Sequence, residues 1–491
     1  MSISRRIARN SIVLFGSNIV SKTFTFLYII FMARYLGKSD FGIFSFAFAF
    51  CGLFVLMTDM GLDKLTVREV ARDKSLAGKY VGNFVLIKIF LGMTTFALIA
   101  SVINIMGYSN PTLSIVYWLG LHIVIRSFSN VFYAIIQANE KMEYVSIGLI
   151  LGNALLLLGV ILTAKLNLSV TAIGVVFVIV SSVDLGYAFG ICLKKFVKPK
   201  FEIDLDFWKE SIKTAWPLGA MLIFVMFYFR TDVVMINLMI GDPDVGLYSA
   251  AYRIAEIPIL IPGLLMVAIF PVLSSLFRSS KSSFRKMYSL ILKYLFCLGL
   301  PIATVITLIA HPLVNLFYDV EYIASARALQ VLIWASAIMF LTMVQGSTFV
   351  AADKQIISMK MSAAAFVLNI LMNLILIPKY SYVGASIATV LTEIFGFALG
   401  AYFLTRYGLK MDLFRTLFVP LMILLMGLAV IFPLILLGVH PLIQVFVFLA
   451  VYAPLIVFVG LNKEERQNLL SFMNIKKLLF AGSRLGIEEE R

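Results

Sequence analysis

The chain has 491 residues, of which 61% are hydrophobic and 14% charged, with a mean hydropathy of +0.98. A soluble globule of this length could not hide so much apolar surface, so composition excludes a water-soluble enzyme or binding module and predicts a polytopic membrane protein. A formal net charge of +15 would suggest nucleic acid in a soluble protein, but here its placement explains it, and no nucleic-acid partner is expected.

Apolar runs of about twenty residues, enough to cross a bilayer, fall near 11–33, 41–59, 81–106, 114–137, 145–164 and 169–193. A second set lies near 216–239, 247–276, 288–310, 329–351, 357–377 and 384–405, and a last pair near 417–437 and 442–460. Fourteen crossings put both termini on one side. The basic start resembles a signal peptide, but its apolar run is too long and no small-residue cleavage site follows, so a retained helix is expected.

Cationic loops fix the side. Arg5, Arg6 and Arg9, then Lys64, Arg68, Arg72, Lys74 and Lys79, then Lys194, Lys195, Lys198 and Lys200 share one face. So do Arg278, Lys281, Arg285, Lys286, Arg406, Lys410, Arg415, Lys463, Arg466, Lys476 and Lys477, while the opposite loops hold little beyond Arg34, Lys38, Lys165, Arg327 and Lys379. By the positive-inside rule both termini are cytoplasmic.

An internal repeat organises the spans. Residues 37–47 read GKSDFGIFSFA and 241–251 read GDPDVGLYSAA, so Gly37, Asp40, Gly42 and Ser45 match Gly241, Asp244, Gly246 and Ser249 at one offset. ANEK at 138–141 echoes AADK at 351–354, and GYAFG at 186–190 echoes GFALG at 396–400. The expected layout is two six-helix lobes of parallel topology, 1–193 and 216–405, joined by a linker at 194–215. A peripheral helix pair (406–460) and a polar tail (461–491) follow. Pro199 breaks the linker, and the part from Leu205 reads as a short amphipathic surface helix, while the similar basic segment 61–75 is expected to lie on the same inner surface.

Charges inside apolar spans are the strongest functional signal. A charge at the bilayer centre costs roughly 2.5–3.5 kcal/mol on insertion scales, so such residues face protein or a water-filled interior. Arg126, Arg230 and Arg253, with Lys22 and Lys88 in other spans, predict a cationic cavity for a substrate with a negative head. Arg230 and Asp232 are two apart and point in different directions, so Asp232 is expected to bond another helix or an ion. Arg253 and Glu256 are three apart and can pair, and Pro258 and Pro262 should kink that helix. His122 shares a face with Arg126 and could titrate near neutral pH. Asp232, Glu256 and His122 are the candidates for ion coupling. Lys88 is placed to snorkel, and Asp59, Asp184 and Glu393 read as span-end carboxylates that reach water. His311 and His440 precede prolines and read as structural, and Cys51, Cys192 and Cys297 as packing residues. No phosphate-binding loop, nucleophile elbow, zinc-protease motif or Cys/His cluster occurs, so no catalytic residue, metal or cofactor is expected.

The pattern ARYLGKSDFGIFSFAFAF at 33–50, with DMGLDKLTVREVARD at 59–73 and RTDVVMINLMIGDPDVGLYSAAYRI at 230–254, resembles Wzx-type polysaccharide flippases. These form a branch of the multidrug/oligosaccharidyl-lipid/polysaccharide exporter superfamily. The resemblance implies an all-α fold with two six-helix lobes forming a V, plus two C-terminal helices. It also implies a plasma-membrane transporter that moves a polyprenyl-diphosphate-linked oligosaccharide to the outer leaflet, among membrane lipids and beside a glycan polymerase or glycosyltransferase. Arg230, Arg126, Arg253 and Lys22 would then bind substrate. The alternative is an ion-coupled cation or multidrug exporter of the sister branch, which would favour a carboxylate-rich, aromatic cavity. A non-transporting scaffold for sugar-polymer assembly is the remaining competitor.

Overall fold

A computed structural model describes the backbone of residues 3–197, 203–409, 414–463 and 465–467, with side chains from residue 16 onward except 217–225 and 415. Pro199, the tail from 468, and the side chains of Arg5, Arg6, Arg9, Lys198, Lys200, Lys410, Arg415, Lys476 and Lys477 lie outside the described residues.

The described chain is helical, and the order begins α1 (Ile3–Phe54), α2 (Leu62–Arg72), α3 (Ala77–Ile105), α4 (Thr112–Ala138), α5 (Met142–Lys165) and α6 (Val170–Lys195). Then come α7 (Leu205–Met239), α8 (Asp242–Glu256), α9 (Leu260–Ser279), α10 (Lys281–Leu308), α11 (Ala310–Phe317) and α12 (Ser325–Ala351). The last are α13 (Gln355–Arg406), α14 (Val419–Leu436) and α15 (Pro441–Leu455). Among the described residues, 11 helical stretches are long and apolar enough to cross a membrane.

Two of these stretches hold two crossings each. A straight helix of the 52 residues in α1 or α13 would be about 78 Å long, more than twice the hydrocarbon core. Each instead leaves helical geometry once, at Gly37 (φ 69°) and at Ser381 (φ 52°). Glycine takes the left-handed region at no steric cost, which suits Gly37 to the break. With the 35 residues of α7, the described helices supply the fourteen expected crossings.

Contacts divide the chain into two compact units. The first comprises Met1–Ile257, His311–Leu332 and Gln355–Gly396, and the second Pro258–Ala310, Ile333–Lys354 and Phe397–Arg491. Within the first unit α1 packs on α5 and α8, and α4 on α3 and α6. Its expected cytoplasmic end has a core built on α2, which buries Leu62, Leu65, Thr66 and Val70. That i, i+3, i+4, i+8 spacing gives one apolar helix face, and it packs with Tyr80, Phe84, Val131 and Cys192. Within the second unit Tyr452 of α15 donates to the Cys297 carbonyl at 3.1 Å, and Lys293 pairs with Glu465 at 2.6 Å.

Several sequence expectations need correction. The segment from Leu205 is no separate surface helix: α7 runs unbroken to Met239. Asp204 caps it, accepting from the Phe207 N–H at 2.9 Å. Lys79 ties Asp204 to α3 at 2.7 Å, and the Trp208 indole donates to Asn83 at 2.7 Å. Lys88 does not snorkel: fully buried, it meets Asp63 at 2.7 Å, Asp59 at 2.9 Å and the Ser127 carbonyl at 3.0 Å. Asp184 and Glu393 do not reach water: both are buried, accepting from Tyr133 at 2.5 Å and Tyr228 at 2.7 Å. The prolines do interrupt the eighth crossing, where α8 ends at Glu256 and a tight 3-10 turn over Ile257–Ile259 precedes α9. All three cysteines are free and buried, and His440 caps α15 by accepting from the Leu442 N–H.

Candidate functional site

Four of the expected cations lie inside the first unit. Lys22 of α1 lies 3.9 Å from Glu256, and Arg253 lies 3.3 Å from the same carboxylate. The i, i+3 spacing on α8 sets the second contact. Arg230 of α7 lies over the Phe48 ring, its guanidinium carbon 4.9 Å from the centroid. Gly52 makes room for it: a Cβ there would stand 3.2 Å from the Arg230 Nε. Arg126 of α4 lines a cavity with Tyr28, Phe48 and His122.

Phe48 links two of these charges, since it lies under Arg230 and lines the Arg126 cavity beside Tyr28. Like charges brought together in a membrane interior are unfavourable without a counter-ion. Glu256 serves Lys22 and Arg253, whereas Arg126 and Arg230 have no ion-pair partner among the described residues. Lys22 and Arg253 therefore share one carboxylate, while Arg126 shares its cavity with Asp184. Lys88, expected among them, is instead neutralised in its triad with Asp59 and Asp63.

Asp232 lies apart from Arg230 chemically, as their spacing predicts. Its carboxylate accepts from Tyr248 and Asn373 at 2.7 Å and from Thr389 at 2.8 Å, joining α7 to α8 and α13. Asn373 also donates to Asn369 at 3.0 Å, while the Asn373 Oδ1 and Asn369 Nδ2 are buried without hydrogen-bond partners among the described residues. His122 bonds the Phe177 carbonyl through Nδ1 at 3.1 Å and stands edge-on to the Phe177 ring. Among the described residues, no group of three or more His, Cys, Asp or Glu could hold a metal ion.

Sequence reasoning missed Tyr28, Phe48, Asn369, Asn373 and Thr389. Tyr28 and Phe48 look like ordinary apolar-span residues, and the three polar ones carry no charge to mark them. Their roles come from helices that meet only in three dimensions.

The sequence profile of the family described as polysaccharide biosynthesis protein matches residues 7–277, more than half of the chain, and the MatE profile matches 217–375. The probable low-salt glycan biosynthesis flippase Agl15 of Haloferax volcanii is 23% identical over 414 residues, 82% of this chain and 84% of the relative. The capsular polysaccharide biosynthesis protein CapF of Staphylococcus aureus is 20% identical over 407 residues, 81% of this chain and 99% of the relative. Among solved structures, the lipid II flippase MurJ in an inward closed conformation superposes with a TM-score of 0.71 at 16% identity, covering 91% of this chain and 98% of MurJ. At that identity the likeness establishes a shared fold. The motifs at 33–50 and 230–254 both fall inside the larger profile match, and the chain belongs to the polysaccharide biosynthesis protein family, within the superfamily that also holds the Wzx-type flippases and MatE exporters.

Proposed function

We propose that this protein is a flippase that carries a polyprenyl-diphosphate-linked oligosaccharide from the cytoplasmic to the outer leaflet of the plasma membrane. The observation behind this reading is that Lys22 and Arg253 share one carboxylate, Glu256, while Arg230 over Phe48 and Arg126 in the cavity beside Phe48 have no ion-pair partner among the described residues. A diphosphate with several sugars cannot cross hydrocarbon unaided, because unpaired buried charge and hydroxyls are too costly. Guanidinium groups replace lost hydration with charge-assisted, often bidentate, hydrogen bonds to phosphate oxygens. The polyprenyl tail stays in the bilayer while the head passes, and the cluster opens to each face in turn with both termini cytoplasmic. The relatives in glycan and capsule synthesis favour this substrate class, and a polymerase or glycosyltransferase is the expected neighbour.

Arginine binding sets affinity, but direction needs an energy source. Asp232, Glu256 and His122 are the proposed ion-coupling residues, with Asp232 the strongest because its carboxylate joins three helices beside unsatisfied amides. Transport indifferent to both proton and sodium gradients would dismiss that role.

The competing reading, a cation or multidrug exporter, draws on the MatE match. Excess positive charge in the cluster opposes a cationic cargo. Proteoliposomes containing a fluorescent polyprenyl-diphosphate oligosaccharide, with a cationic-dye efflux assay in parallel, separate the two. Lipid movement without dye efflux supports the flippase, and dye efflux without lipid movement overturns it.

A further inference from the structure

Beside Arg126 lies a cavity of about 160 Å³ among α1, α4, α5 and α6. The polar groups on its wall are specific in what they lack. Asp184 is buried, and its Oδ1 accepts from Tyr133, but Oδ2 has no hydrogen-bond partner among the described residues. An ionised carboxylate is acceptor-only, so Oδ2 calls for a donor. The Phe177 carbonyl can only accept, so the His122 Nδ1 must donate to it, leaving Nε2 of the neutral ring as a second acceptor. Arg126 supplies donors and has no ion-pair partner among the described residues.

Two glycines of α5 shape the space. A Cβ at Gly148 would stand 2.0 Å from the Tyr133 hydroxyl, so the bare position lets Tyr133 reach Asp184. A Cβ at Gly152, which also lines the cavity, would meet nothing within 4 Å. The void therefore begins at the α5 backbone.

Drug-sized ligands take pockets of about 300–1,000 Å³, so this cavity is too small for one. A cation would suit Asp184, but the Arg126 charge opposes it. A single sugar ring fits both chemistry and size. Its hydroxyls would donate to Asp184 and His122 and accept from Arg126, with its C–H faces against Tyr28, Phe48 and Phe177, all of which line the cavity. We propose that this cavity is the subsite for the sugar attached directly to the phosphate. The inference rests on the reading of the cation cluster as the seat of the phosphates, since Arg126 belongs to both.

The test measures equilibrium binding to the full-length protein in nanodiscs. The probes are polyprenyl diphosphate without sugar and the same lipid bearing one glucose, galactose or N-acetylglucosamine. Wild type is expected to bind at least one sugar-bearing lipid about ten-fold more tightly than the bare lipid, as a hydrogen bond to a charged group allows. Asp184→Asn, and Gly152→Leu, which fills the cavity while leaving every polar group in place, should each bring that ratio to about one. Arg230→Ala should weaken all lipids and keep the ratio. A wild-type ratio of one for all three sugars, or a ratio unchanged in both cavity variants, overturns the subsite. If wild type binds none of the lipids, the phosphate reading fails instead. The methyl glycosides of the same sugars then decide: binding lost in Asp184→Asn upholds the subsite, and no binding overturns it.

Discussion

Gly42 and Gly246 hold two helices together through bare backbone. A Cβ at Gly42 would stand 1.8 Å from the Asp242 carbonyl oxygen, and one at Gly246 would stand 2.0 Å from that of Lys38. Each glycine thus meets the carbonyl one helical turn before the other. The two occupy the same place in the repeat, 37–47 and 241–251. Small residues let membrane helices approach this closely, and the duplicated sequence makes the approach reciprocal.

Substituting either glycine should drive α1 and α8 apart at the expected outer face. In a background without Cys51, Cys192 and Cys297, Gly246→Val should raise labelling of a Ser249→Cys probe by a membrane-impermeant maleimide, since Ser249 is buried. Lipid movement should fall about ten-fold or more, equivalent to 1.4 kcal/mol. Unchanged labelling would show that the contact is not a closure.

The buried Lys88 triad predicts a large stability effect. Lys88→Met leaves Asp59 and Asp63 without their counter-ion and should cost about 3–5 kcal/mol. Denaturant unfolding of the detergent-solubilised protein measures it. Adding Asp59→Asn and Asp63→Asn to Lys88→Met should restore most of the loss. A cost below about 1 kcal/mol, the range of exposed pairs, would contradict the burial.

The same triad gives a pH dependence. Burial pushes the Asp63 carboxyl up to about 7 from its ordinary 3.8, against the pull of Lys88 and with the push of Asp59. The folded state therefore binds this proton more tightly than the unfolded chain. Its stabilising contribution is complete below 3.8 and is lost as pH rises through about 7. Between pH 5 and 8 the melting temperature of wild type should fall more than that of Asp63→Asn. Parallel profiles would remove Asp63 from the account.

Much of the fold was legible because membrane spans are written in consecutive residues. Fourteen apolar runs, the reversal at Gly37 and the proline break after Glu256 all follow from local chemistry. The Arg253–Glu256 pair was legible for the same reason, since a helix fixes i, i+3 neighbours. What the sequence hides is which span faces which. Lys88 looks like a free cation until α2 folds back and presents Asp63. Asp184 and Glu393 look like water-seeking carboxylates because their partners, Tyr133 and Tyr228, sit on other helices. The start of α7 looks like a surface element because hydropathy falls there, yet Asp204 begins one continuous helix. The placement of Arg230 over Phe48, and of Arg126 in a cavity with Phe48 and Tyr28, is hidden for the same reason.

The most direct test of the cationic seat is leaflet-to-leaflet movement of a fluorescent polyprenyl-diphosphate oligosaccharide in proteoliposomes, comparing wild type with Arg126→Ala, Arg230→Ala and Arg230→Lys. Loss of a charged hydrogen-bonding partner should slow movement about ten- to hundred-fold in each alanine variant, with Arg230→Lys recovering only part because lysine lacks the bidentate fork. Wild-type rates in both alanine variants would contradict the account and reduce the arginines to helix packing.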